Sequence, residues 1–239
     1  VAPDIAGRTD FLRAPFSFLG HEYGMEFDRL RELPGITHRF LLRYPEVNVD
    51  GDRDEVLRRL WPSHSEEIER LGFSPGSLHL AEQVHGAGVA IVNNAAAAGG
   101  PMPDVDGMVS TRRGVLLGIY VADCCAVYLV DPVSGAIGLV HSGKKGSELG
   151  ITGIAIQKMQ EHFGAKVEDI RVQLSPCIRP PAYEVDFAAQ IRTQALELGV
   201  RPEHLWDEGI CTSRELQSFY SYRTEKGRTG RMLALLGRL

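Results

Sequence analysis

The chain has 239 residues, 44% hydrophobic and 24% charged, with a formal net charge of −5. That usage is ordinary for a globular protein and excludes disordered, collagen-like and coiled-coil chains; the basic excess of a general nucleic-acid binder is missing. No apolar run reaches the ~18 residues of a membrane span, and the longest candidate, Gly114 to Ala122, stops at Asp123.

Asp4, Arg8, Asp10 and Arg13 interrupt the first stretch, so no signal-peptide core is expected there. Cys124, Cys125, Cys177 and Cys211 form no CxxC pair, which argues against a local zinc ribbon and for reduced thiols in a cytoplasm. Ile36 to Arg43 reads as a strand. Asp54 to Leu60 and Glu66 to Leu71 read as two helices, with Ser63 and Glu66 as a capping box for the second. Leu78 to Val84 and Gly88 to Val92 read as strands around the turn His85-Gly86-Ala87. Asn93 to Pro103 is a surface loop and no repeat is visible, so residues 1–239 are expected to form a single domain. Val115 to Asp123 is apolar enough for a strand buried on both faces. Ala126 to Asp131, the turn Pro132 to Gly135, and Ala136 to Val140 read as a hairpin. Helices follow near Ile151 to Phe163 and Phe187 to Leu198, the latter with Asp186 as N-cap and Gly199 as stop, with a strand at Val167 to Leu174 between them. The fold class is α+β, or mixed α/β.

A four-residue hairpin loop pairs Asp131 with Ala136, Ala126 with His141, and Cys124 with Gly143. Strand side chains alternate faces, so Cys124 and His141 share a side, and Cys125 packs on the other. Diagonal ladder neighbours lie roughly 7–8 Å apart, a gap that two side chains and one metal ion span. Thiolate and imidazole suit zinc, whose catalytic sites take three protein ligands and leave one position for water. His85, in a Gly-flanked turn, is the candidate third ligand. The plain alternative is a packed thiol and a hydrogen-bonded imidazole.

The run from His141 to Ser147, with Lys144 and Lys145, is either an anion-binding turn before a helix or a solvated basic turn. Its GLVHSGKK resembles a P-loop, but Lys145 stands where Ser or Thr should bind magnesium, which argues against an NTPase. The tail Tyr222 to Arg231 carries three arginines and a lysine and reads as a phosphate-binding run or an exposed loop. Asp104 and Asp106 in PDVDG read as a turn.

Taken together, several segments resemble one family. Gln83 to Gly86 is its QVHG motif, Asp104 to Ser110 resembles "ADGLVT", and Ala122-Asp123-Cys124 resembles "TADC". Val130-Asp131-Pro132 and Gly135 to Gly143 resemble "DP…GAVAAAHAGWRG". Ser175-Pro176, Ile178, Pro180 and Tyr183-Glu184-Val185 resemble "GPxIGPCCYEV". Cys211-Thr212, Phe219 to Arg223 and Thr229 to Met232 resemble its C-terminal signature. The family is the laccase-domain or polyphenol-oxidoreductase group (YfiH/YlmD-like), and the resemblance runs from about Leu33 to the end. It departs in losing the Trp and Arg of "HAGWRG", both cysteines of "GPCCYEV", and a C-terminal Cys that is Arg214 here.

The resemblance implies two packed mixed β-sheets flanked by helices in four layers, α/β/β/α. It implies a purine nucleoside phosphorylase with adenosine deaminase activity, and His85, Cys124 and His141 as metal ligands, with zinc ahead of copper. Asp123 is the expected carboxylate behind a ligand histidine. Gln83, Arg43, Lys144, Lys145 and Arg223 are the expected substrate and phosphate contacts. A nucleoside and phosphate are the expected partners, with no nucleic acid or membrane, on a monomer or homodimer. Three rivals stand beside it: a Cys–His hydrolase or amidase acting on peptidoglycan precursors, a copper-dependent polyphenol oxidase, and an inactive metal or nucleoside binder.

Overall fold

The computed structural model describes residues 16–17, 23–97 and 99–239. Among them the chain runs β1 (Phe16–Ser17), β2 (Gly24–Phe27), α1 (Asp28–Arg31), β3 (Ile36–Leu41), α2 (Arg53–Arg70), β4 (Leu78–Leu80), β5 (Val89–Ile91), β6 (Gly107–Ser110) and β7 (Leu116–Val121). It continues through β8 (Cys125–Asp131), β9 (Ala136–Ser142), α3 (Lys144–Glu148), α4 (Ile151–Phe163), β10 (Arg171–Leu174), α5 (Phe187–Glu197), β11 (Leu205–Asp207) and β12 (Met232–Arg238). These strands form two six-stranded sheets, ordered β1-β2-β3-β12-β7-β4 and β11-β10-β8-β9-β6-β5. The strands pair antiparallel except at edges, where β4 runs parallel to β7, β5 to β6, and β11 to β10.

The alternation of the β8–β9 hairpin divides the core. Ala126, Tyr128, Val130, Ile137 and Leu139 face the first sheet and share its core with Phe40, Leu117, Ile119 and Leu235. Cys125, Val127, Leu129 and Val140 face the other way, into a second core closed by Ile156 and Met159 of α4 and Ile191 of α5. On the far side α2 lays Val56, Leu60 and Ile68 against the first core. The expected architecture, two mixed sheets flanked by helices, is the one observed. No helix of the described residues is long and apolar enough to cross a membrane.

Three local expectations are corrected. The two short helices around Ser63 are one helix, α2, capped by Asp52, whose side chain accepts the Glu55 N–H at 2.8 Å. The Ser63–Glu66 capping box therefore does not form. Val56, Leu60, His64, Glu67 and Ile68 make one buried stripe across the proline, while Trp61 and Pro62 are exposed. Burial of that stripe outweighs the hydrogen bond that Pro62 removes. The strands expected on either side of His85 shorten to β4 and β5 and belong to different sheets, so the intervening segment crosses from one sheet to the other. Val167 to Leu174 begins as a turn of 3-10 helix at Val167–Asp169 before β10. Central to the first sheet is β12, paired with both β3 and β7, which the sequence reading did not pick out.

Candidate metal centre and its cavity

The hairpin register matches expectation: Asp131 pairs with Ala136, Ala126 with His141, and Cys125 with Ser142. Cys124 lies one step before β8, opposite Gly143. A Cβ on Gly143 would sit 2.5 Å from Cys124 Sγ, so glycine is what leaves the thiol its room. Cys125 is fully buried in the second core.

His85 arrives by a different route. Gln83 and His85 adopt left-handed backbone, φ 66° and 58°, where non-glycine residues are uncommon and need outside support. Asp106 supplies it. Its carboxylate accepts the backbone N–H groups of Val84, His85 and Gly86 at 3.1, 2.9 and 2.7 Å. The same carboxylate meets His141 Nδ1 at 2.8 Å, and the His141 N–H donates to the Asp106 carbonyl at 2.7 Å. Asp106 is fully buried. The Gln83 side chain spans to β7, giving its amide N–H to the Tyr120 carbonyl at 2.6 Å and accepting the Tyr120 N–H at 3.0 Å.

The result is a cluster in which donor atoms of His85, Cys124 and His141 all lie within 4.8 Å of one another. The two rings meet edge to face with centroids 4.8 Å apart. Zinc bonds of about 2.0–2.3 Å place tetrahedral donors roughly 3.3–3.8 Å apart, so this set fits one ion after small side-chain adjustment. His85 is exposed, Cys124 half-buried and His141 buried, which leaves the open side facing solvent. Burial works to raise the Cys124 thiol, but His141, aided by His85, outweighs it and holds the thiol at about 6. Burial also opposes charge on His141, yet the thiolate and Asp106 lift it to about 9. Burial pushes Asp106 up, and the hydrogen bonds from His141 and Gly86 more than reverse that, leaving it below the usual carboxylate range.

The cluster opens onto a cavity of about 740 Å³. Of the expected contacts, Lys144, Arg223 and Gln83 line it, although both ends of the Gln83 amide are engaged by Tyr120. Arg43 does not: it pairs with Glu225 at 2.7 Å, donates to the Phe219 carbonyl and lies over Tyr220. Lys145 is exposed and also outside the lining. Asp123 lines the cavity, but it does not orient a histidine. Its carboxylate accepts the Thr212 hydroxyl and the Arg223 N–H, both at 2.7 Å, and so ties two C-terminal loops to the hairpin. The carboxylate behind His141 is Asp106, which the sequence reading assigned to a turn. Its only sequence signal was its place in the DVDG segment. Tyr183, from the segment resembling "GPxIGPCCYEV", also lines the cavity, as do Tyr120, Phe187 and Arg53, which carry no motif of their own.

A family model described as multi-copper polyphenol oxidoreductase laccase matches residues 44–188 and 185–238. Purine nucleoside phosphorylase YlmD of Geobacillus stearothermophilus is 32% identical over 231 residues, covering 80% of this chain and 82% of the relative. A purine nucleoside phosphorylase of Deinococcus radiodurans is 33% identical over 218 residues, covering 81% of this chain and 83% of the relative. The crystal structure of YlmD from Geobacillus stearothermophilus superposes with a TM-score of 0.81 at 27% identity, over 95% of this chain and 99% of that one.

Proposed function

The chain belongs to the multi-copper polyphenol oxidoreductase laccase family, the YfiH/YlmD-like group, and on that premise we propose that it is a metal-dependent purine nucleoside phosphorylase, with adenosine deamination as a second activity of the same site. The observation that carries the proposal is the convergence of His85, Cys124 and His141 on a cavity whose volume suits a small ligand. The relatives' names supply the purine.

His85, Cys124 and His141 would hold the ion, with zinc favoured by one sulfur and two nitrogens. When bound, it supplies a Lewis acid beside the substrate and activates water. Asp106 takes the Nδ1–H of His141, leaving Nε2 as that ring's donor, and the same carboxylate holds the His85 turn in place. Lys144 and Arg223 bring positive charge to the cavity for a phosphate, and the half-buried Tyr183 ring, with Arg223 over one face, adds an aromatic surface. Asp123 fixes the Arg223 loop rather than touching the reaction.

A Cys–His hydrolase is the second reading. It is favoured by a thiol held at about 6 beside a histidine raised to about 9, with Asp106 on the far nitrogen of that histidine. One experiment separates the two: metal analysis of the purified protein, then adenosine turnover with and without phosphate, before and after chelation. Free base released only with phosphate, and lost on chelation, is the expected result. No turnover of any purine nucleoside by metal-loaded protein rejects the first reading, and hydrolysis that survives chelation favours the second.

A further inference from the structure

The chain is acidic overall, yet its cavity is not. Five cations line it (Arg53, Lys144, Arg223, Lys226 and Arg231) against two carboxylates, Glu82 and Asp123. Both carboxylates are engaged with other groups: Glu82 accepts the Asp104 N–H, and Asp123 holds Thr212 and Arg223. Three of the cations have acidic partners nearby, Arg223 with Glu184 at 2.6 Å, Arg53 with Asp54 at 3.7 Å and Lys144 with Glu148 at 4.0 Å. Lys226 and Arg231 have none among the described residues, and the Arg53 partner is a solvated one.

Arg53 opens α2, and among the described residues its ion-pair partner is Asp54 at 3.7 Å, a residue 85% exposed to solvent. Lys226 has no ion pair among the described residues. Arg231, immediately before β12, gives one nitrogen to the Thr229 and Gly230 carbonyls and lies over the Tyr222 ring at 5.6 Å. No carboxylate meets it among the described residues. Burial first, and then the nearby Arg53, hold Arg231 below the usual arginine value. Two separate segments, the start of α2 and the run Tyr222 to Arg231, thus deliver like charges to one concave surface, where field lines converge on an anion. Guanidinium forks match phosphate oxygens, and the carbonyl anchors on one nitrogen of Arg231 leave the remainder of its fork for a ligand.

We propose that Arg53, Lys226 and Arg231 form an anion subsite of this cavity and that the group it recognises is a phosphate. The purine reading enters only in deciding what carries that phosphate: an ester on the nucleoside, making the ligand a nucleotide, or inorganic phosphate taken up as co-substrate.

The test is calorimetric titration of the purified protein with adenosine, adenosine 5′-monophosphate and inorganic phosphate. Wild type is compared with Arg53→Gln, Arg231→Gln and the charge-retaining Arg231→Lys, each first checked for an unchanged melting temperature. Each Gln variant should weaken phosphate-bearing ligands by about tenfold or more, as loss of a charged hydrogen bond does. Adenosine should bind all variants alike, and Arg231→Lys should recover part of the loss. Monophosphate binding tighter than adenosine assigns the ester. Inorganic phosphate binding, with the monophosphate no tighter than adenosine, assigns the co-substrate. The subsite is overturned if neither phosphate ligand binds wild type, or if the Gln variants bind both as wild type does. Phosphate-dependent cleavage of adenosine at wild-type kcat/KM in both Gln variants, with the monophosphate bound no tighter than adenosine, also overturns it, and leaves the proposed activity standing. Phosphate binding that needs the arginines, in a protein that cleaves no purine nucleoside, supports the subsite and removes that activity.

Discussion

Cys124 and His141 sit at the end of a hairpin whose register is set by seven paired positions and by a buried core on each face. His85 sits in a turn that crosses between sheets, in a left-handed conformation, held by one carboxylate. On the hairpin side, slipping the register by one residue would turn a whole hydrophobic face outward, so Cys124 and His141 are fixed as strongly as the fold itself. On the turn side, three backbone N–H groups and a ring nitrogen all depend on Asp106. One half of the candidate metal centre is thus inseparable from the fold, and the other is removable by a single substitution.

Asp106→Ala is the largest expected break. It orphans three N–H groups and the His141 Nδ1 in a buried place, at a cost of about 3 kcal/mol or more by denaturant unfolding. Metal affinity, read by competition with a chelator, should fall by about 10–100-fold because both histidines lose their orientation.

Breaking the hairpin side needs a steric wedge. Gly143→Ala places a methyl 2.5 Å from Cys124 Sγ, and metal affinity should drop by about tenfold, since one ligand is displaced and two remain. Its counterpart is the neighbouring pair: Cys124→Ala should weaken metal binding by about tenfold or more, whereas Cys125→Ala should keep it and lose about 1–2 kcal/mol of core packing.

Acid sharpens the contrast between fold and site. His38 and His64 are both buried and held neutral, with pKa values lowered to about 3 chiefly by burial. A depressed histidine contributes stability that is complete above its unfolded value of 6.5 and is lost as pH falls from there towards 3. Each tenfold drop in a histidine's proton affinity on folding corresponds to about 1.4 kcal/mol. Thermal melts should therefore fall steeply below pH 6.5, and His64→Phe should flatten that limb. The smallest effect belongs to Lys145→Ala: the side chain is exposed and outside the cavity, so stability, metal content and ligand binding should all match wild type.

The same contrast explains what could be read from the residues. Ladder pairing follows from a turn length and an alternation, both local, so Cys124, Cys125 and His141 fall on their observed faces from the sequence alone. Asp106 is different. Its partners lie 20 to 35 positions away, and an aspartate before a glycine looks like any turn. Arg43 and Arg53 show the limit again: both are arginines near an element end, and only the packed structure sends one to Glu225 and the other to the cavity. Helix α2 runs through Pro62 because its buried stripe is a tertiary fact, while the proline's preference is a local one. The first sheet's central strand, β12, spans seven residues, but its continuous apolar run suits a buried helix segment as well as a strand until β3 and β7 lie beside it.

X-ray absorption at the metal edge of the purified protein tests the central claim most directly. One ion per chain, with a sulfur neighbour at about 2.3 Å and nitrogen neighbours at about 2.0–2.1 Å, is the expected spectrum. The sulfur shell should vanish in Cys124→Ala. A metal bound without any sulfur, or a spectrum unchanged when Cys124, His85 or His141 is replaced, would contradict it.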